Sequence, residues 1–483
     1  MKRGATLKLN FMRKPHNTLR ISLTILLVLI SRLAMADISL PSVLSDGMVL
    51  RQRSAVRIWG WGNPTEKVNI QPSWETAKDT AVVKGNGKWS FTIHTPAAGG
   101  PYTIRIDGRN TIILKDILIG EVWICSGQSN MDMSMNWGLK YDDDIPKTDN
   151  DSVRLLQVPK LTASFPAESI NAKWEKATPK VIRSFSAVGY FFAVRLQKQL
   201  HVPVGIINAS WGGSAGEPFL PGEAIRTDTA LNNAANKLRP NKYASTEPGE
   251  VFNAMIYPLK DLPVTGILWY QGEANVGQHT YKRLLTTLIR SWRELWNEDM
   301  PFYYVQIAPW SGYGKKLSGA LIREDQSKVL SVQKTGMVLT MDLVDDITDL
   351  HPKRKKEVGL RLGDLALGDH YGIRGLTYMV PQYDSFRIDG NKMTLSFKHT
   401  ENGLSSQEKN IRGFYISGKD KTFVPANAEI KGNSVVVWND DIKHPKAVRY
   451  AFSGDATATL FSKKGLPVNL FRTDDWPIDT IKQ

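Results

Sequence analysis

The sequence predicts an α/β protein whose parallel sheet lies between helices, with an all-β module at each end. Three observations predict this fold class: period-two strand patterns fill the first part of the chain, short apolar runs alternate with helical patterns in the middle, and strand patterns return near the end. The chain has 483 residues, enough for two to four domains, and its 42% hydrophobic content is ordinary for a globular protein.

Residues 1–36 have the pattern of a secretory signal. They carry seven basic residues and no acidic one, then an apolar run at 21–30, then the small residues Ala34 and Ala36. This order predicts a signal peptide that is cleaved before Asp37. The apolar run is too short to cross a bilayer, which takes about twenty residues. We therefore expect an exported protein, periplasmic or secreted, that has no membrane attachment after cleavage.

Charge and cysteine content exclude several partners and sites. The net charge is +15, but seven of these charges belong to residues 1–36, so the rest of the chain has no nucleic-acid signature. A single cysteine, Cys125, excludes an intramolecular disulfide and cysteine-rich metal sites. We expect no metal and no organic cofactor. The sequence does not predict the oligomeric state.

Residues 37–116 are predicted to form a β-sandwich-like domain. Apolar residues alternate with polar ones at 89–93 and 102–106, which is typical of half-buried strands. Glycine and proline residues separate these runs and indicate turns, as at 85–87.

Residues 117–375 are predicted to form the α/β domain, with a polar insert at about 231–252. The predicted buried strands are 122–125, 204–208, 267–270, 302–307 and 337–341. The predicted helices between and after them are 188–200, 281–297 and 357–367. Ligands of such a sheet bind beyond the carboxyl ends of the strands. Residues 376–483 return to strand alternation and are predicted to form a C-terminal β module.

The first candidate for chemistry is Ser129, within Gly127-Gln128-Ser129-Asn130 directly after the predicted strand 122–125. A serine there projects into the ligand crevice and can act as a nucleophile if a base takes its proton. The other interpretation is a serine that caps the following helix.

His351 is the best candidate for the base. It follows the predicted strand 337–341 by an acidic loop that holds four aspartates within nine residues of the imidazole. A carboxylate near a histidine fixes its tautomer and stabilises the imidazolium. The alternative is a surface histidine in a cation-binding loop.

Ser214 is a competing nucleophile, because residues 212–216 match the G-x-S-x-G pattern of α/β-hydrolases. Five residues separate it from the preceding predicted strand, and Pro218 follows, so a helix that starts at Ser214 is not expected. We interpret Gly212 and Gly213 instead as a loop that offers backbone N–H groups.

A third polar segment, residues 269–275, follows another predicted strand. Gln271 and Asn275 could donate hydrogen bonds to a developing oxyanion. Glu273 could orient His351, bind a sugar hydroxyl, or be a satisfied loop carboxylate.

Four ordered segments, residues 120–131, 269–275, 349–352 and 471–476, together resemble the bacterial sialate O-acetylesterases, a branch of the SGNH hydrolases. The resemblance implies a flavodoxin-like SGNH hydrolase domain and removal of acetyl groups from O-acetylated sugars. It also implies that Ser129 is the nucleophile, that His351 is the base, and that the N–H groups of Ser129 and Gly212 hold the oxyanion.

The sequence departs from the wider superfamily at two places. Many SGNH enzymes have an acid three residues before the histidine, where this chain has Thr348, and the nearest carboxylate is Asp349. The triad's acid is therefore open between Asp349, Glu273 and the other loop aspartates. The G-x-N block is also absent, which leaves Gln271 as the expected third oxyanion donor, with Asn275 in reserve.

We therefore expect a serine carbohydrate O-acetylesterase that acts on O-acetylated sialic acids through an acetyl-serine intermediate. An esterase for acetylated xylan or another polysaccharide could share the same site. From a different class, a non-catalytic carbohydrate-binding protein would suit the 14 tryptophans and the two β modules.

Overall fold

The computed structural model describes Met1 and residues 37–145, 150–314, 317–400 and 402–478. Apart from Met1, the predicted signal peptide lies outside the described residues. Within these ranges, none of the helices has the length and apolar character needed to span a bilayer.

The N-terminal module is built from six short strands. They are β1 Val49–Arg51, β2 Ala55–Trp61, β3 Lys67–Pro72, β4 Asp79–Val82, β5 Lys88–His94 and β6 Gly99–Asp107. β2 pairs with β5, and β3 pairs with β4 and β6, all antiparallel. The alternation predicted at 89–93 places Trp89, Phe91 and Ile93 in the core.

A single long strand, β7 (Thr111–Gly127), joins the N-terminal module to the central sheet. Its first half pairs antiparallel with β6, and β1 pairs with it in parallel from Leu118 to Gly120. The rest of β7 lies at the centre of the α/β sheet. The predicted domain boundary near residue 116 therefore falls inside one strand.

The central sheet also contains β8 Asn150–Gln157, β9 Trp174–Ala177, β10 Val204–Ser210, β11 Gly266–Tyr270, β12 Phe302–Val305 and β13 Thr335–Val338. The strand order is β13-β12-β11-β7-β10-β8-β9, and all neighbours are parallel except β8 and β9. Without β8 and β9 this is the flavodoxin-like order, as predicted. The order reverses between β7 and β11, which is where such sheets bind ligands.

Helices cover both faces of this sheet. They are α1 Ser129–Asp132, α2 Pro179–Ser184, α3 Ala187–Leu200, α4 Gly222–Arg226, α5 Thr229–Ala235, α6 Tyr281–Trp296, α7 Ser318–Lys328 and α8 Lys355–Asp369. Buried residues of α3 and α8 share one core with Trp123 of β7, and those of α6 and α7 share another with Ile124, the next residue of the strand.

Several element bounds differ from those predicted. The predicted strands 302–307 and 337–341 end earlier, at Val305 and Val338. The polar insert 231–252 is not all loop, because α5 begins at Thr229 with the Asp228 side chain as its N-cap. Helix α7 was not predicted.

The C-terminal module contains β14 Gln382–Asp389, β15 Lys392–Lys398, β16 Leu404–Ser405, β17 Phe414–Ser417, β18 Phe423–Pro425, β19 Asn427–Lys431, β20 Ser434–Trp438, β21 Ala447–Tyr450, β22 Phe461–Ser462 and β23 Phe471–Arg472. Two four-stranded sheets dominate it, in the orders β14-β15-β20-β19 and β18-β17-β21-β23. Arg472 forms an ion pair with Glu324 of α7 at 2.6 Å, which fastens this module to the central domain.

Candidate active site

Ser129 begins α1 directly beyond the carboxyl end of β7. Gly127 ends the strand with a φ of +130°, and a Cβ atom there would lie 2.2 Å from the carbonyl oxygen of Tyr270. Only glycine permits this turn beside β11. The turn places Ser129 at the reversal point of the strand order, where its side chain lines a cavity.

Ser129 and His351 meet in this cavity although 222 positions separate them in the sequence. The Oγ atom of Ser129 lies 2.9 Å from Nε2 of His351. This is the distance at which an imidazole can take the proton of a serine hydroxyl. His351 lies in the loop between β13 and α8. The nucleophile and its base therefore follow the ends of two strands of the same sheet, β7 and β13.

Asp349 is next to His351 but contacts its backbone. Oδ1 of Asp349 accepts a hydrogen bond of 2.8 Å from the His351 N–H, and Oδ2 lies 3.1 Å from Nζ of Lys353. Among the described residues, no hydrogen bond joins a carboxylate to Nδ1 of the imidazole. The assignment of Asp349 as the triad's acid stays a prediction. The contacts of this carboxylate stabilise the loop, and its charge acts on the imidazole.

The pKa of His351 is lowered from its usual value. Burial is the largest cause, since it disfavours the imidazolium, and the charge of Lys355 is the next. Asp349 opposes the shift. The neutral imidazole, which is the form that can act as a base, therefore persists to lower pH than in an exposed histidine.

Asn130 connects the nucleophile's helix to the loop of the base. Its Nδ2 donates to Oε1 of Glu273 at 2.6 Å and to the carbonyl oxygen of Leu350 at 3.2 Å, and its Oδ1 accepts from Nζ of Lys355 at 2.5 Å. Because Leu350 precedes His351, this network fixes the position of the base relative to Ser129.

Glu273 and Lys355 carry buried ionisable groups in this network. Burial raises the pKa of Glu273, whose Oε2 is buried without a hydrogen-bond partner among the described residues. Burial lowers the pKa of Lys355 to about 7. Like Asp349, Glu273 forms no hydrogen bond to the imidazole of His351 among the described residues, so its role as the triad's acid also stays a prediction.

The two predicted backbone donors lie side by side. Ser129 is the first residue of α1, so its N–H has no partner within the helix. A Cβ atom on Gly212 would lie 3.5 Å from Cβ of Ser129. The N–H of Gly212 is directed at Oδ2 of Asp132, 3.3 Å away. The structure thus places Gly212 beside the nucleophile. It also places Asp132 next to Gly212, and Asp132 was not among the predicted site residues.

Gln271 and Asn275 have contacts that differ from those expected of oxyanion donors. Nε2 of Gln271 donates to Gln128, Ser214 and Asn275, and Nδ2 of Asn275 donates to the buried carboxylate of Glu217 at 2.9 and 3.0 Å. Both side chains are fully buried, and neither lines the cavity. They stabilise the loop after β11 and do not point at Ser129.

Ser214 is completely buried, its Oγ has no hydrogen-bond partner among the described residues, and it does not line the cavity. It therefore lacks the base and the access that a nucleophile needs. Ser129 has both.

The cavity around Ser129 and His351 has a volume of about 710 Å³ and a largely aromatic wall. Trp137, Trp211, Tyr243 and Trp310 line it together with the ion pair of Asp132 and Lys160. Asp132 ends α1, and the other five side chains come from connecting segments, one of them the polar insert, so no local sequence pattern brings the six together. In the described part of the chain, no group of three or more His, Cys, Asp or Glu side chains is placed to hold a metal ion.

Known proteins are similar to this chain in sequence and in structure. In sequence, the chain is 28% identical to the human sialate O-acetylesterase over 421 residues, covering 78% of this chain and 79% of the human protein. It is 26% identical to the sialate O-acetylesterase of Rattus norvegicus, covering 82% and 85%.

In structure, the chain is similar to a carbohydrate acetylesterase from Xanthomonas citri. The TM-score is 0.83 at 34% identity, over 91% of this chain and all of the other. The sequence profile of the carbohydrate esterases described as sialic acid-specific acetylesterases matches residues 119–367, which include Ser129 and His351. The chain therefore belongs to this family of carbohydrate esterases.

Proposed function

We propose that the protein is a serine esterase that removes O-acetyl groups from acetylated sialic acids. The distance of 2.9 Å between Oγ of Ser129 and Nε2 of His351 carries the proposal, because it supplies a nucleophile and its base in an open cavity. The family description and the names of the mammalian relatives support sialic acid as the sugar.

The reaction follows from the positions of the groups. Oγ of Ser129 attacks the acetyl carbonyl carbon while Nε2 of His351 takes the hydroxyl proton. The N–H of Ser129 stabilises the oxyanion that forms, and the N–H of Gly212 joins it by exchanging its hydrogen bond to Oδ2 of Asp132 for one to the oxyanion. The carbon–oxygen bond to the sugar then breaks, and the imidazolium returns the proton to the sugar oxygen. Water repeats these steps on the acetyl-serine, which releases acetate and restores Ser129.

A neutral polysaccharide acetate, such as acetylated xylan, is the second candidate substrate. Apart from the histidine, Lys160 is the only basic side chain among the described residues that line the cavity, and its Nζ lies 2.6 Å from Oδ2 of Asp132. The carboxylate of a sialic acid would have to share this ammonium group with Asp132, whereas a neutral sugar needs no cation.

Replacement of Ser129 tests the reaction. The Ser129→Ala variant is expected to lose at least about 1000-fold in kcat/KM on an aryl acetate, since it removes the nucleophile. Its melting temperature should match that of the wild type. Ser214→Ala is the matched control and should keep full activity, because the Ser214 hydroxyl touches neither the cavity nor a base.

An active Ser129→Ala protein, or an inactive Ser214→Ala protein with normal melting, would contradict the nucleophile assignment. The same assay with acetylated sialic acids and acetylated xylan identifies the preferred sugar. A higher kcat/KM on xylan would replace the first candidate substrate with the second.

We propose further that the protein is exported. The signal pattern of residues 1–36 supports it. Mass spectrometry of the protein expressed with this segment should find Asp37 as the N-terminal residue. An intact N-terminus on protein recovered from the cytoplasm would contradict export.

A further inference from the structure

The ion pair of Asp132 and Lys160 lies in the wall of the catalytic cavity, and the proposed reaction does not use it. Nζ of Lys160 lies 2.6 Å from Oδ2 of Asp132. The side chain of Asp132 is 8% exposed and that of Lys160 is 42% exposed. The pair thus combines a nearly buried carboxylate with a lysine side chain that stays accessible from the cavity.

Asp132 is close to the reacting serine. It is the last residue of α1, three positions after Ser129. Its Oδ2 is 3.3 Å from the N–H of Gly212, and a Cβ atom on Gly212 would lie 3.4 Å from that Oδ2 and 3.5 Å from Cβ of Ser129. A sugar whose acetyl group reaches Ser129 must therefore bring its ring close to this carboxylate.

Both members of the pair have unused hydrogen-bonding capacity. A carboxylate accepts about four hydrogen bonds, and Oδ1 of Asp132 has only one long contact, 3.4 Å from Oγ of Ser210. An ammonium group donates three, and Asp132 is the one hydrogen-bond partner of Nζ of Lys160 among the described residues. The pair can thus accept from one sugar hydroxyl and donate to another.

The rest of the cavity offers fewer such partners. Oε2 of Glu273 has no hydrogen-bond partner among the described residues, but it is buried. The remaining wall is mostly aromatic, and the indole N–H groups of Trp211 and Trp310 already donate to the carbonyl oxygens of Tyr243 and Thr348. Aromatic faces pack against the apolar face of a sugar ring but do not bind its hydroxyl groups in a fixed direction.

We propose that Asp132 and Lys160 are specificity-determining residues that bind the hydroxyl groups of the sugar ring beside the acetylated position. This inference rests on the proposed carbohydrate esterase activity and names the contact that selects sugar acetates over other acetates. A site built to hydrogen-bond a substrate hydroxyl discriminates strongly against an analogue that lacks it.

The test measures kcat/KM on an acetylated sugar and on an aryl acetate, which has no hydroxyl groups. The quantity compared between variants is the ratio of the value for the sugar to the value for the aryl acetate. In Asp132→Asn and Lys160→Met the ratio should fall roughly 10- to 100-fold, the range for hydrogen bonds to charged groups, with a rise in KM for the sugar. Lys160→Arg keeps the donors and should hold the ratio within about threefold of wild type.

Lys176→Met is the matched control. Lys176 is 44% exposed and pairs with Asp151 at 2.9 Å, but it lies on β9, outside the cavity. The ratio should not change in this variant. Melting curves of all four variants show whether each is folded.

Two outcomes separate this inference from the proposed function. If the wild type hydrolyses sugar acetates and the ratio stays within about threefold in folded Asp132→Asn and Lys160→Met, this inference is overturned alone. If the wild type hydrolyses aryl acetates but no sugar acetate, the proposed function fails and this inference fails with it.

Discussion

The pKa of His351 sets the lowest pH at which Ser129 can be activated. Since burial and the charge of Lys355 lower this pKa, kcat/KM should fall only as the pH drops through a value below the usual 6.5 of histidine. Lys355, whose own pKa burial lowers to about 7, is mostly protonated in that range. In Lys355→Met the positive neighbour is gone, so the pKa of His351 should rise and the acid limb of the pH profile should move to higher pH.

Lys356→Met is the control for this prediction, because Lys356 pairs with Asp144 and is not among the groups that shift His351. Its acid limb should coincide with that of the wild type. An acid limb in Lys355→Met that stays in place or moves to lower pH would contradict the prediction that the charge of Lys355 lowers the pKa of His351.

At the scale of single residues, the sequence predicted the nucleophile and its base, but it did not predict most of the side chains that line the cavity around them. Ser129 and His351 could be found because each follows a recognisable strand, and parallel strands end at the same edge of a sheet. Asp132 and Lys160 could not, because their contact depends on how the chain after β8 folds over α1. Gln271 was assigned by its chemistry alone, and the structure uses its amide to stabilise the loop.

At the scale of elements, the turn after β7 depends on Gly127. Gly127→Ala would place a methyl group 2.2 Å from the carbonyl oxygen of Tyr270, and it would hold an alanine at a φ of +130°. The clash and the backbone strain both destabilise the variant. We expect a loss of about 3 kcal/mol or more in the free energy of unfolding, and a loss of activity because Ser129 is displaced. Urea denaturation and aryl acetate turnover measure the two effects.

Gly138→Ala provides the comparison. Gly138 also has a positive φ, of +81°, but no atom lies within 4 Å of its would-be Cβ. The expected loss in the free energy of unfolding is therefore only the cost of holding an alanine at a positive φ, about 1 kcal/mol. Equal losses of stability in the two variants would mean that the contact with Tyr270 does not restrain the turn.

The predicted elements were those with strong periodicity. Helix α6 has apolar residues at three and four spacing, and its bounds were predicted to within one residue. Helix α7 was missed because two buried positions, Arg323 and Gln326, are polar and interrupt the apolar stripe. Their partners, such as the carbonyl oxygens of Gln271 and Ser453, come from distant parts of the chain, so local sequence does not reveal why they are buried.

At the scale of the whole molecule, the N-terminal module and the central domain share β7 and one continuous core. A chain that begins at residue 117 would lose β1 to β6 and expose fully buried side chains such as Ile119, which pairs with β1 and β6, at about 1.5–3 kcal/mol each. We expect this truncated protein to aggregate or to melt without a cooperative transition in calorimetry. A soluble truncated protein with wild-type melting and activity would show that the central domain is independent.

The architecture also sets the order in which the active site can be made on the ribosome. His351 leaves the peptidyl-transferase centre 222 residues after Ser129, a delay on the order of 10 to 40 seconds at ordinary translation speeds. During that interval the nascent polypeptide carries its nucleophile without a base. Premature termination before codon 351 would therefore release a fragment that has the nucleophile but lacks its base.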